Sequence, residues 1–174
     1  MKRAFISINL PNEVKEKVKK IQEKIPEFRG KKTEPENLHL TLKFLGEISD
    51  EKIGLVRDKL KKIKGKKISA EIDSIGFFSP KFLRIIWVHM KGADELQKQI
   101  DISLADLFEK EKRFMSHITI ARVKQTEDKK KFISYLEKIE LEKTKFNVEN
   151  FYLMESTLKK EGSEYKIIEE FNLN

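Results

Sequence analysis

The sequence contains no cysteine and no long apolar segment. Without thiols the protein can form neither disulfides nor zinc–thiolate sites and offers no cysteine nucleophile, which suits a reducing compartment. A helix that crosses a bilayer needs about 20 consecutive apolar residues, and no run in this chain approaches that length. The first residues lead into an apolar strand rather than a signal peptide. We therefore expect a cytoplasmic protein that does not cross a membrane.

The charge balance favours a polyanionic partner without requiring one. The formal net charge is +8 over 174 residues, and the pI is about 9.4. A basic surface attracts nucleic acid. However, charged residues form 38% of the chain and their signs are largely interleaved, as they are on solvated helix faces. Charge alone therefore leaves nucleic-acid binding and ordinary surface chemistry as alternatives.

Histidine is scarce, with three residues, yet two of them open the same short motif. His39 begins the sequence His-Leu-Thr-Leu, and His117 begins His-Ile-Thr-Ile. Side chains two apart in a strand share a face and lie about 6 to 7 Å from each other. Each motif therefore presents an imidazole beside a hydroxyl, with its aliphatic residues facing a core. The third histidine, His89, has no threonine two residues later, and we interpret it as a strand-end or surface residue.

The hydrophobic periodicity predicts the same order of elements twice. Strands are expected at 5–10, 38–45, 68–78, 82–88, 114–123, 146–154 and 165–171, the last after a turn at 161–163, with helices over 12–25, 50–63, 94–108 and around 132–139. Phe5 in the opening strand of the first half precedes His39 by 34 residues, and Ile85 in that of the second half precedes His117 by 32. We interpret the chain as one two-lobed domain, 1–174, built from β-α-β-α-β halves at about 1–78 and 79–174. Such a duplication would place both motif strands side by side at one cleft.

Two imidazoles that face a common space are suited to general acid–base catalysis. One can take a proton from an attacking water while the other donates a proton to the leaving oxygen. Threonine hydroxyls can donate hydrogen bonds to the oxygens of an anionic substrate such as a phosphodiester. Carboxylates, which usually accompany histidine at metal sites, are absent beside both motifs. We therefore expect no metal and no cofactor.

With these residues in place, the chain resembles the two-histidine (2H) phosphoesterase superfamily. The segments 5–10, 38–46, 76–87 and 116–122 are most similar to RNA 2',3'-cyclic phosphodiesterases of the 2'-5' RNA ligase-like family. The resemblance implies an α+β fold, with antiparallel sheets about a central cleft and helices outside. It also implies an RNA-processing hydrolase, with substrates that include tRNA, which opens 2',3'-cyclic phosphate ends to 2'-phosphates. Some relatives join RNA ends in reverse.

The resemblance also implies roles for individual residues. His39 would protonate the departing 3' oxygen and His117 would activate water, while Thr41 and Thr119 would hold phosphate oxygens. Arg122, five residues after His117, would be a phosphate ligand, in keeping with the bidentate geometry of guanidinium.

The contact of Arg122 and Phe44 with a substrate depends on where their side chains point. In an unbroken strand Arg122 faces away from His117, so it reaches the cleft only where the strand bulges, twists or ends. Phe44 holds the equivalent place in the first half and either stacks on a nucleobase or packs in the core. We expect Lys43 to be a solvated strand-end residue rather than an anion ligand. Phe77, Phe78 and Trp87 are expected in the core, although an aromatic at the rim of a cleft could contact a base.

Three other interpretations remain open. A non-catalytic RNA-binding module would also be basic and aromatic, although it has no need of duplicated histidines. A metallohydrolase would need ligands that the motifs lack. A relative of the same superfamily could act on a different cyclic nucleotide. The expected partner is RNA with a 2',3'-cyclic phosphate end, and we expect a monomer.

Overall fold

This computed structural model describes residues 1–160 and 162–174, which contain nine strands and four α-helices. Glu161, part of the predicted turn at 161–163, lies outside the described residues. The strands are β1 (Lys2–Asn9), β2 (Arg29–Lys32), β3 (His39–Ile48), β4 (Ile68–Phe77), β5 (Ile85–Lys91), β6 (His117–Gln125), β7 (Thr144–Val148), β8 (Asn150–Lys159) and β9 (Gly162–Asn172). The helices are α1 (Asn12–Glu23), α2 (Asp50–Leu60), α3 (Asp94–Ser103) and α4 (Lys129–Leu136). The predicted α+β class is confirmed.

All nine strands join one open antiparallel sheet whose two parts meet at its centre. The order is β7-β4-β5-β6-β3-β1-β8-β9, and β2 pairs with β6. The central strands β3 and β6 share a single pair of residues, Leu40 and Ile118. In the first predicted half, β4 pairs with β5, the opening strand of the second half, and in the second half β8 pairs with β1, the opening strand of the first. The two motif strands therefore lie side by side.

The helices leave one face of the sheet open. Apolar residues recur at helical spacing along α1, where Val14, Val18 and Ile21 are buried. Helix α1 packs against β6, and α3 packs against β3. The aliphatic residues of both motifs are fully buried in this core, whereas their histidines and threonines are only partly buried. In the described residues, no helix has the length and apolar character needed to cross a membrane.

Some predicted boundaries are wrong. The predicted strand 146–154 is two strands, β7 and β8, that pair in opposite parts of the sheet. Neither glycine nor proline marks the break between them, so periodicity alone could not detect it. The predicted helix 94–108 ends as α3 at Ser103 and continues in turns. Strand β5 begins three residues later than predicted, and β2 lies in a segment where the periodicity predicts no strand.

Strand β3 contains a bulge one residue after its motif threonine. Thr41 pairs with Ser7 of β1, whereas Lys43 pairs with the adjacent Ile6, so Leu42 is the extra residue. The bulge reverses the alternation of side chains. Leu42 and Lys43 are both buried, and Phe44 returns to the open face.

Strand β6 has the same irregularity at the corresponding position. Thr119 pairs with Trp87 of β5, and Ala121 pairs with the preceding Ile86, so Ile120 is the extra residue. This bulge turns Arg122 to the same face as the motif histidine. The condition that the sequence set for Arg122 is therefore met.

Lys43 is a buried ion-pair partner, so the prediction of a solvated lysine is wrong. The bulge directs this side chain, 3% exposed, into the core, where its Nζ lies 2.6 Å from Asp101 Oδ1 of α3. Nζ also donates to the Glu109 carbonyl at 2.7 Å, and Gln97 Nε2 donates to Asp101 Oδ2 at 2.8 Å. A buried charge pair needs such additional hydrogen bonds to offset its desolvation. The pair holds α3 against the bulged part of β3.

We predict that Lys43→Met destabilises the protein by about 3–5 kcal/mol, because it leaves the Asp101 carboxylate buried without a cation. The double variant Lys43→Met/Asp101→Leu should recover most of that loss. Lys67→Ala, which removes an exposed ion pair with Glu149, should cost less than about 1 kcal/mol. Urea unfolding measures all three free energies. Equal effects of Lys43→Met and Lys67→Ala would contradict the role of the buried pair.

Candidate active site

A cleft of about 550 Å³ lies over the junction of β3 and β6. It is lined by all six residues that the sequence singled out, His39, Thr41, Phe44, His117, Thr119 and Arg122. The structure thus brings together side chains from two motifs 78 residues apart in the chain.

The antiparallel register explains how two copies of one motif form one site. With Leu40 opposite Ile118, the next positions along an antiparallel pair place His39 beside Thr119 and Thr41 beside His117. Each histidine therefore has one threonine on its own strand and another across the junction. A small anion above this junction can meet both imidazoles and both hydroxyls.

Both motif histidines are oriented by the same backbone contact. His39 Nδ1 lies 2.7 Å from the Asn37 carbonyl oxygen, and His117 Nδ1 lies 2.8 Å from that of Met115. Since a carbonyl can only accept, Nδ1 carries the proton in both rings. This selects the same tautomer twice and leaves Nε2 as the nitrogen available to a substrate.

The ring of His39 is held on several sides. Its Nε2 lies 3.1 Å from Thr41 Oγ1, which donates to it when the imidazole is neutral. The ring centroids of Phe5 and Tyr165 each lie 5.0 Å from the centroid of the His39 ring. These contacts restrict the rotation of the imidazole, so its Nε2 has a defined position in the cleft.

The environment of His39 disfavours its charged form. Burial lowers the pKa of His39 to about 4, the positive charges of Arg122 and His117 contribute in the same direction, and the hydrogen bond to the Asn37 carbonyl opposes them. The unliganded His39 is therefore neutral near pH 7. A bound anion would oppose the effect of the neighbouring cations and favour the imidazolium.

Arg122 is held in place by the strand that the sequence did not predict. β2 pairs with β6 alongside Arg122, and Gly30 of β2 has φ +155° and approaches so closely that a Cβ there would lie 2.2 Å from the Arg122 carbonyl oxygen. Behind the bulge, buried Gln22 Nε2 donates to the Ile120 carbonyl at 2.8 Å, and the Thr33 backbone N–H donates to the same oxygen at 2.9 Å. Glycine and glutamine thus stabilise the bulge that directs Arg122 into the cleft.

The cleft carries an excess of positive charge. Arg3, Lys31, Lys32 and Arg122 line it, together with one carboxylate, Glu34. That carboxylate pairs with Lys31 Nζ at 2.7 Å. A cleft with this balance favours an anionic ligand.

Phe44 is 68% exposed and lines the cleft beside Phe5, with ring centroids 6.4 Å apart. Its exposure does not fit core packing and leaves an aromatic face available for stacking. Sequence reasoning missed Tyr165, which lies in β9 and reaches His39 only through tertiary folding. No motif or spacing in the sequence signals that contact.

Two further residues lie near His117 in the sheet, and the core position expected for one of them, Phe78, is wrong. Phe78, expected in the core, is 52% exposed, and its ring meets His117 edge-on with centroids 4.9 Å apart. His89 does not line the cleft, although it is the cross-strand neighbour of His117. Its Nδ1 lies 2.8 Å from Asp73 Oδ1, so it belongs to a separate ion-pair cluster on β4 and β5.

Residues 1–160 and 162–174 contain no group of three His, Asp or Glu side chains placed to hold a metal ion. Apart from the Glu34 carboxylate, which pairs with Lys31, the charged and catalytic groups that line the cleft are imidazoles, hydroxyls and cations. This set can bind an anion and transfer protons.

Comparison with known proteins identifies the family of the chain. The model of the LigT like Phosphoesterase family matches residues 8–87 and 89–165. A Methanocaldococcus jannaschii protein named RNA 2',3'-cyclic phosphodiesterase is 35% identical over 174 residues, covering 97% of this chain and 99% of the relative. A Thermotoga maritima protein of the same name is 33% identical over 177 residues, covering 97% of this chain and 94% of the relative.

Solved structures share the fold along the whole chain. A crystal structure of a Thermus thermophilus protein has a TM-score of 0.81 at 26% identity and covers 98% of this chain and 97% of its own. Escherichia coli LigT, crystallised with 3'-AMP, has a TM-score of 0.80 at 24% identity, covers 99% of this chain and 98% of its own, and shows the same fold. The chain therefore belongs to the LigT-like phosphoesterases, within the two-histidine superfamily that its paired motifs resemble.

Proposed function

We propose that this protein hydrolyses the 2',3'-cyclic phosphate at the end of an RNA to a 2'-phosphate, by acid–base catalysis that uses two histidines and no metal. The observation that carries the proposal is the convergence of two His-x-Thr motifs, in the same tautomer, in one cationic cleft. The names of the relatives support the same substrate.

In this mechanism the phosphate lies over the junction of β3 and β6. Thr41, Thr119 and Arg122 donate hydrogen bonds to its non-bridging oxygens, which places the phosphorus between the two imidazoles. His117 Nε2 takes a proton from water as the water oxygen bonds to phosphorus. The bond from phosphorus to the 3' oxygen breaks, and His39 Nε2 gives that oxygen a proton.

His39 can act as the acid only if substrate binding changes the protonation of its imidazole. Its pKa is about 4 in the unliganded cleft, so it carries little proton near pH 7. The negative phosphate counteracts the positive charge of Arg122 and favours the His39 imidazolium in the complex. Substrate binding would thereby create the acid that the reaction needs.

The same residues would also allow the protein to join RNA ends, the reaction that the resemblance implies for some relatives. A 5'-hydroxyl in place of water would give a 2'–5' phosphodiester. Phe44, exposed at the His39 side of the cleft, would stack on a nucleobase of the RNA in either direction.

The decisive experiment is incubation with a short RNA that ends in a 2',3'-cyclic phosphate, followed by identification of the phosphomonoester. We expect the 2'-phosphate, formed equally well in the presence of EDTA. Binding of the RNA without hydrolysis would favour a non-catalytic module. Loss of activity in EDTA with recovery on addition of a divalent metal would contradict the metal-free mechanism.

We predict that His39→Ala and His117→Ala each reduce turnover by about 10² to 10⁴-fold, because a general acid or base contributes on that scale. His89→Ala is the matched control, since it removes the remaining histidine, which lies outside the cleft lining. Its turnover should stay close to that of the parent. Circular dichroism establishes that the variants fold. Near-parental turnover of either motif variant would refute the site.

The two histidines can be distinguished by the leaving group. Replacing the 3' bridging oxygen of the cyclic phosphate with sulfur gives a group that departs without a proton donor. We predict that this substrate restores far more of the lost rate to His39→Ala than to His117→Ala, because only the former lacks the acid. Stopped assays on both substrates measure the ratio. Preferential rescue of His117→Ala would reverse the assigned roles.

We predict a bell-shaped pH dependence of kcat/KM, because the pair must carry one proton. The acidic limb reports an apparent pKa of the coupled pair. This apparent pKa should lie near the lowered His39 pKa of about 4. Arg122→Gln removes a positive charge that lowers this pKa, so the acidic limb should move to higher pH. In the parent, the acidic limb of kcat should lie at higher pH than that of kcat/KM, since bound phosphate favours the His39 imidazolium. A shift of the limb to lower pH in Arg122→Gln would contradict this electrostatic account.

A further inference from the structure

Phe78 continues the surface of the site beyond His117. It follows β4, is 52% exposed and meets the His117 ring at an interplanar angle of 87°. It is not among the residues that line the cleft. An apolar ring this exposed, in contact with a proposed catalytic base, provides a face on which another aromatic ring can stack.

The ring of Phe78 rests on a built support. Trp87 lies beneath it, with ring centroids 5.9 Å apart, and is the cross-strand neighbour of Thr119 on one side and of Gly76 on the other. A Cβ at Gly76 would lie 2.4 Å from the indole Cη2, so the absence of a side chain there lets the indole lie on the strand. Trp87 Nε1 is buried and has no acceptor among the described residues. Trp87 therefore supports Phe78 through ring contact.

Two exposed phenylalanines thus lie on opposite sides of the histidine pair. Phe44 is on the strand of His39 and packs with Phe5, which contacts His39. Phe78 contacts His117. In-line displacement at phosphorus places the entering and leaving oxygens opposite each other. With His117 as base and His39 as acid, Phe78 is on the side of the entering oxygen.

We propose that Phe78, supported by Trp87, is the stacking face for the base of an acceptor nucleoside whose 5'-hydroxyl replaces water. This inference rests on the proposed function. The 5' O–H proton passes to His117 Nε2 as the 5' oxygen bonds to phosphorus. The bond to the 3' oxygen breaks, and His39 Nε2 supplies the proton for that oxygen. The 3' ester bond of the cyclic phosphate is exchanged for an ester bond to the 5' oxygen, which gives a 2'–5' phosphodiester, so no nucleoside triphosphate is consumed.

The experiment compares transfer with hydrolysis in one reaction. The protein is incubated with a dinucleotide 2',3'-cyclic phosphate and 2',3'-O-isopropylidene adenosine, whose free ribose hydroxyl is the 5'. Mass spectrometry gives the ratio of 2'–5' product to 2'-phosphate. Because both products need both histidines, the ratio cancels any common loss of chemistry.

We predict that Phe78→Ala lowers this ratio about tenfold, as expected for the loss of one base–aromatic stack, and that Phe78→Trp preserves it. The control is Phe82→Ala, a comparably exposed phenylalanine whose described ring contact is with Lys81 Nζ. That variant should keep the parental ratio.

Binding is measured independently by fluorescence, because Trp87 is the single tryptophan of the chain. The nucleoside alone should change Trp87 emission in the parent and in Phe82→Ala, with affinity about tenfold weaker in Phe78→Ala. An unchanged ratio in Phe78→Ala, or a parent that hydrolyses but forms no 2'–5' product, would overturn the acceptor site and leave the proposed hydrolysis standing. A parent that does not hydrolyse the substrate would overturn the proposed function, and this inference with it.

Discussion

The antiparallel contact of β3 with β6 at Leu40 and Ile118 is the constraint on which the cleft depends. It brings the start of each motif beside the other, so that the imidazole of one motif lies next to the hydroxyl of the other. Because the strands share a single pair, they separate on either side of it and leave room above the junction for a ligand. A longer ladder would close that space with neighbouring side chains.

The two bulges add Phe44 and Arg122 to the four motif residues that face the cleft. Each inserts one residue after the motif threonine, and each reverses the side-chain alternation. The result is asymmetric, since one strand presents the guanidinium of Arg122 and the other the ring of Phe44. The buried supports differ as well, with Gln22 binding the carbonyl of one bulge and Lys43 paired with Asp101 behind the other. A duplicated backbone thus carries different chemistry in its two halves.

The electrostatics of the cleft depend on the same proximity. Arg122 and His117 both lower the pKa of His39, in addition to the effect of burial. The cationic groups that attract an anion therefore also keep His39 neutral until an anion is bound. Affinity and protonation are linked, which is how a site built from imidazoles can respond to the charge of its substrate.

Periodicity and recurrence are local properties of the chain, so the amino-acid sequence alone is enough to predict the α+β class, most of the elements and the paired motifs. It also showed that Arg122 needed a break in strand alternation, without being able to place one. The positions of the bulges, the burial of Lys43 with Asp101 and the contacts of Tyr165 and Phe78 with the histidines are visible only in the folded chain. Those contacts depend on strand pairing between distant segments, and the free energy that selects such a pairing comes from the packing of the whole sheet rather than from any local pattern.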